Sequence, residues 1–351
     1  METAPPRAVP RAGWLRSPSH DVTMALAWVP FAVAAHAAAG DPGQLRWLVS
    51  VTLLFSFAHQ PLSLWLVYGD EGQRDAHRAL FTWAPLVAVA VVAGGAAAQP
   101  VVVALAAGVW NLAHTLRQRY GMSRLYGRLS GFDCSGDNRL LWAWLVAAVL
   151  VALARTDLAA VARQVGMDQR STTAIDALAS GRVAAGALLP FVGATAVVLT
   201  ARSIQAERLR EAHSSARLIY LGSTAILLAV LAVEPVTGFV AYVGAHAAEY
   251  LFVVRWRVDR AAQRSKAGDR VGALARRVGA GGTLALYAAA VVPLTIWIHG
   301  SEGTDVGLTV LLTLGALHLL YDGFIWRTPR PAPAPVAPTV SSGEAQLHQA
   351  R

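Results

Sequence analysis

The chain has 351 residues, 55% of them hydrophobic and 15% charged, with a formal net charge of +9. No stretch between its apolar runs is long and polar enough to form a soluble domain, so any chemistry has to lie within a membrane-embedded bundle. The single cysteine, Cys134, excludes an intrachain disulfide, and a basic balance of this kind is what loops facing anionic lipid require, without a nucleic-acid partner.

Apolar runs of about 20 residues, the length a helix needs to cross the hydrocarbon core, predict an all-α polytopic integral membrane bundle with about ten transmembrane helices. In chain order the spans are 23–40, 47–68, 79–97, 100–118, 139–156, 183–201, 217–233, 236–254, 281–299 and 306–325. They divide the protein into a cytoplasmic segment 1–22, a helical bundle 23–327 and a tail 328–351 whose Pro/Ala/Ser-rich composition predicts disorder. Arg7, Arg11 and Arg16 precede an apolar stretch ending in Ala37, Ala38, Ala39 and Gly40, a pattern that also fits a cleavable signal; its length favours a retained helix. Between the fifth and sixth spans, the outer loop 157–182 has room for a small amphipathic helix. With both termini in the cytoplasm, only Arg46, Arg155, Arg163, Arg170 and Arg182 among the basic residues fall outside. The positive-inside rule therefore sets this orientation, and the expected location is the cell membrane.

Four histidines lie inside these spans: His59, His114, His246 and His318. All four fall in helices running from outside to inside, at a common depth in the inner-leaflet half. His36 falls near the outer end of its helix. An ionisable group within the bilayer is costly, so it is read by default as part of a functional site. Residues three and four apart share a helix face, which pairs His114 with Gln118, His246 with Glu249 and His318 with Asp322; His59 has Gln60 and Ser63 nearby.

Imidazoles and carboxylates together are a ligand set for a transition metal. The candidate ligands are His59, His114, His246, Glu249, His318 and Asp322. Gln118, Tyr250 and Tyr321 are candidates to support them, and Arg117 and Arg119 to hold an anionic head group. The set suffices for a dinuclear iron centre, or for one metal with the remaining groups around it. Haem b, held by two facing histidines, is the alternative cofactor. Each residue also has a plain structural role open to it: an interhelical hydrogen bond for a lone histidine, or an ion pair with Arg257 or Arg327 for Asp322. The shared depth of four imidazoles favours a common centre.

Neither the H-E-x-x-H pattern of zinc proteases nor the G-x-S-x-G turn of esterases occurs, and no Gly-rich phosphate loop is visible. The segments W-N-L-A-H-T-L-R-Q-R-Y-G at Trp110 to Gly121, H-A-A-E-Y at His246 to Tyr250 and H-L-L-Y-D-G-F-I-W-R at His318 to Arg327 resemble a family of bacterial polytopic membrane proteins with a helix ending in H-x-x-x-D-G-x-I-W-R. That resemblance implies a shared bundle rather than a substrate. A looser similarity is to very hydrophobic proteins of actinobacterial natural-product pathways, including those that make azoxy compounds by nitrogen oxidation.

These features point to an integral membrane oxidoreductase of the non-haem iron oxygenase type. Its substrate would be hydrophobic or amphipathic, drawn from specialised metabolism or lipid biosynthesis. Its electrons would come from a separate donor, since no flavin or nicotinamide motif is present. A haem-binding electron carrier, a proton-coupled transporter of small amphipathic molecules and a scaffold without catalysis are the competing readings.

Overall fold

The computed structural model describes residues 13–325 apart from 158, 159, 162, 163, 166–171, 211, 212, 265, 266 and 302–304. The tail 328–351, Arg7, Arg11, Trp326 and Arg327 lie outside the described residues, as do ten residues of the expected outer loop 157–182, whose residues 172–182 instead form the start of a long helix. The described part is an all-α polytopic bundle, whose thirteen helices are α1 (Pro18–Ala25), α2 (Val29–Ala38), α3 (Pro42–His59), α4 (Pro61–Tyr68), α5 (Glu71–Ala76), α6 (Arg78–Ala98), α7 (Pro100–Leu129), α8 (Gly136–Arg155), α9 (Thr172–Arg208), α10 (Ser215–Val233), α11 (Pro235–Arg264), α12 (Arg270–Gly300) and α13 (Asp305–Ile325).

Nine spans among the described residues are long and apolar enough to cross a membrane, which makes this a multi-pass membrane protein. The span expected at 100–118 is present as part of the 30-residue helix α7. It is not among the nine: Asn111, His114 and Arg117 interrupt its apolar stretch.

Local chemistry sets the helix boundaries. Ser17, Asp41 and Ser214 cap α1, α3 and α10 by accepting hydrogen bonds from backbone N–H groups of the first turn. Proline follows the cap at Pro18 and Pro42, where its missing N–H costs nothing. The same residue type divides two expected spans. Pro30 breaks the first into α1 and α2, and Pro61 breaks the second into α3 and α4, where the Gln60 N–H bonds to the Phe57 carbonyl in a tightened turn. Within α12, Gly279 takes φ 73°, a left-handed conformation open to glycine, and the helix kinks there.

The bundle centres on α11, which packs against α2, α3, α10 and α12. Burial covers 67% of its membrane-length stretch but only 11% of that of α9, so α11 is the core helix and α9 a lipid-facing one. Apolar burial does little to join helices within lipid, and close packing of small residues takes over that role. The central turns of α11 supply Gly244, Ala245, Ala247 and Ala248. At Gly244 a Cβ would stand 2.4 Å from the Phe31 ring on α2, so this approach requires glycine.

Contacts between connections fix the helix directions. The Gly69 and Gly268 carbonyls accept backbone hydrogen bonds from Arg270 and Glu71 respectively, so α4 and α11 end at the same face. Arg257 on α11 donates to the Ile325 carbonyl at the end of α13 at 3.2 Å. Arg217 grips Asp137 with Nη2 at 2.5 Å and Nε at 2.8 Å, and Ser123 on α7 donates to the same carboxylate. At the opposite face Gln164 donates to the Ala39 carbonyl at 3.2 Å, and His36 pairs with Glu234 at 2.9 Å. The helices α3–α4, α7, α11 and α13, which carry the four histidines, therefore run parallel.

Candidate metal centre

His59 is the last residue of α3, at the break that Pro61 imposes. His114 sits midway along α7, His246 at the most buried part of α11 and His318 two turns before the end of α13. Parallel direction and matched depth bring the four rings together. Centroids of His59 lie 4.8 Å from those of His246 and His318, and His114 lies 5.2 Å from His246 and 5.1 Å from His318. His59, His246 and His318 are 1–2% exposed; the His114 side chain is 12% exposed.

Within the cluster, ligand atoms of His59, His246 and His318 lie within 4.8 Å of one another, as do those of His114, His318 and Asp322. The Nε2 atoms of His59 and His318 are 3.2 Å apart. Two ligands each about 2.1 Å from one ion, at octahedral or tetrahedral angles, stand roughly 3.0–3.4 Å apart, so this separation suits a shared cation as well as a hydrogen bond. Asp322 Oδ2 lies 3.6 Å from His114 Nε2 and 3.9 Å from His318 Nε2.

Ser63, one turn beyond His59 on α4, organises the far side. Its hydroxyl donates to Asp322 Oδ1 at 2.6 Å and lies 2.8 Å from His318 Nδ1. A serine has one proton to give. With that proton on Asp322, Ser63 accepts from His318 Nδ1–H, and the lone pair of His318 then resides on Nε2, facing His59 and His114. Tyr250 donates a second hydrogen bond to Asp322 Oδ1 at 2.8 Å. Partners of this kind hold a metal-ligating imidazole and carboxylate in a fixed tautomer and orientation.

Both ring nitrogens of His246 and Nε2 of His114 are buried without a hydrogen-bond partner among the described residues. An unsatisfied polar atom inside a bilayer costs several kcal/mol. A cation shared by the rings would take up the lone pair of His114 Nε2 and one nitrogen of His246.

The structure does not bring Glu249 to the cluster. Arg119 Nη2 holds one of its carboxylate oxygens at 2.6 Å and the Tyr220 hydroxyl donates to the other at 2.7 Å. Three residues of helix rotate a side chain by about −60° and advance it about 4.5 Å, enough to turn Glu249 toward α7 and α10 while His246 faces the histidines. Arg119, expected to hold a head group, is fully buried by this pair and by Thr224 at 2.9 Å. Arg117 is exposed. Gln118 donates to the His246 backbone carbonyl at 3.4 Å, supporting α11 rather than the rings. The Tyr321 hydroxyl meets that of Tyr68 at 2.8 Å, away from the cluster, and of the expected supporting residues only Tyr250 reaches it. Ser63 carries more of the site than its sequence context indicates; its place four residues after His59 is the available signal.

The His59 ring meets those of His246 and His318 edge to face at 4.8 Å, and the His246 and His318 rings are tilted at 6.1 Å. Comparison of the chain with protein-family models, curated proteins and solved structures finds no match.

Proposed function

We propose that this protein is an integral membrane oxidoreductase of the non-haem iron type, with its metal held by His114, His318 and Asp322 and by the neighbouring His59 and His246. The observation that carries the reading is the buried grouping of two histidines and one carboxylate with two further imidazoles beside it. Two histidines and a carboxylate with open positions are the donor set of non-haem Fe(II) oxygenases. With Glu249 committed to Arg119, one carboxylate remains, and a single iron accounts for the cluster better than the dinuclear centre expected from the sequence.

When bound, Fe(II) supplies oxygen activation and one-electron chemistry. The chain's own residues supply the rest. Ser63 and Tyr250 orient Asp322, Ser63 sets the His318 tautomer, and the packed rings exclude water. His114, the most exposed of the four, marks the side from which a hydrophobic or amphipathic substrate dissolved in the bilayer would approach. A separate electron donor is part of this proposal, as are residence in the cell membrane and a cytoplasmic position for both termini.

A second reading rests on Asp322, whose carboxylate lies 3.6 Å from His114 and 3.9 Å from His318. Buried His and carboxylate groups facing one another inside a membrane bundle also occur in proton relays. Metal analysis with an optical spectrum of the purified protein separates the two. Iron near one per chain without a Soret band is the expected result. A Soret band identifies a haem carrier, and a metal-free protein leaves the proton-coupled transporter.

A further inference from the structure

A crevice of about 670 Å³ opens between α8, α9 and α10, within the roughly 300–1,000 Å³ typical of small-molecule sites. It is separate from the histidines: Tyr220 and Thr224 of α10 face Arg119 and Glu249, while Leu218, Leu221 and Gly222 of the same helix face the crevice. Its wall is apolar, with Trp144 held in place by a hydrogen bond to Thr200 at 2.9 Å. Its rim carries Glu207, Arg208 and His213.

The rim charges leave one cation over. Glu207 accepts from Arg217 at 2.7 Å and lies 3.3 Å from Arg210, and Arg217 also holds Asp137, so these two acids and two guanidinium groups balance one another. Arg208 is exposed and makes no ion pair among the described residues. An apolar slot between membrane helices, topped by a spare guanidinium at the basic end of the bundle, is complementary to a phosphate with a hydrocarbon chain beneath it. Basic pockets between transmembrane helices recognise anionic lipid in this way.

We propose that this crevice binds one anionic phospholipid, its acyl chain lying along Trp144 and Gly222 and its phosphate on Arg208 with His213 beside it. Gly222 gives the slot its depth, because a Cβ built there meets nothing within 4 Å. A larger side chain would fill the slot without displacing the backbone.

The test is native mass spectrometry of the full chain released from nanodiscs of phosphatidylglycerol or of phosphatidylcholine. The wild type should retain one phosphatidylglycerol about fivefold more than phosphatidylcholine, the factor corresponding to roughly 1 kcal/mol per basic residue near the surface. Arg208→Gln should remove that preference, and Gly222→Leu should abolish retention of both lipids at an unchanged melting temperature. Should Gly222→Leu fail to fold, the exposed Arg208→Gln decides alone. Equal retention of the two lipids by the wild type, a preference that survives Arg208→Gln, or displacement of the lipid by inorganic phosphate alone would overturn the proposal.

Discussion

His59 and His318, 259 residues apart in sequence, bring their Nε2 atoms to 3.2 Å inside the bundle. The contact exists because Pro61 ends α3 just after His59, and because Ser63, on the next turn, engages Nδ1 of His318 at 2.8 Å. Ser63 thereby aims the His318 lone pair at the point where His59 and His114 converge.

Ser63→Ala should leave the fold intact and weaken metal binding about 10- to 100-fold, the usual cost of losing a residue that orients a ligand. Chelator competition on the purified variant measures this directly. An affinity equal to wild type would show that the His318 tautomer does not depend on Ser63.

Glu249 behaves differently in this account. Removing one partner of a buried ion pair leaves an uncompensated charge and costs about 3–5 kcal/mol, so Glu249→Leu should lower the melting temperature while the folded fraction keeps its metal. Combining it with Arg119→Met removes both charges and should recover most of the loss. Loss of metal from fully folded Glu249→Leu would return Glu249 to the ligand set.

Much of this is legible in the chain, because apolar runs of membrane length and the positions of His59, His114, His246 and His318 both report depth, and depth is linear in sequence. Rotation about the helix axis is harder to read. His318 and Asp322 differ by about 40° and His246 and Glu249 by about 60° in the opposite sense, and that difference sends one carboxylate to the cluster and the other to Arg119. The Arg119–Glu249 pair joins positions 130 residues apart, and no local pattern encodes such a partner. The importance of Ser63 depends on Tyr250, His318 and Asp322, partners at least 187 residues away in the chain.

Cys134, in the connection between α7 and α8, provides a test by pH. Burial raises its thiol from an ordinary 9.0 to about 11. A thiol that ionises near pH 11 instead of 9 carries about a hundredfold less thiolate below pH 9. Alkylation by a maleimide at pH 8 should therefore be slower than for an exposed cysteine by that factor, and should accelerate up to about pH 11. Protonated Cys134 is the form favoured in the folded state, so its contribution to stability is present below pH 9 and is lost as pH rises toward 11. A rate at pH 8 matching that of a free thiol would contradict the buried placement.

The most direct measurement of the shared centre is metal content by mass spectrometry in wild type, Asp322→Asn, His318→Ala and His36→Ala, purified side by side without chelator. Asp322→Asn keeps size and removes the negative charge, whereas His36 lies at the opposite end of the bundle with Glu234. The account predicts about one iron per chain in wild type and His36→Ala, with at least a tenfold loss in Asp322→Asn and His318→Ala at retained folding. Equal metal in all four proteins, or no metal in any of them, would contradict it.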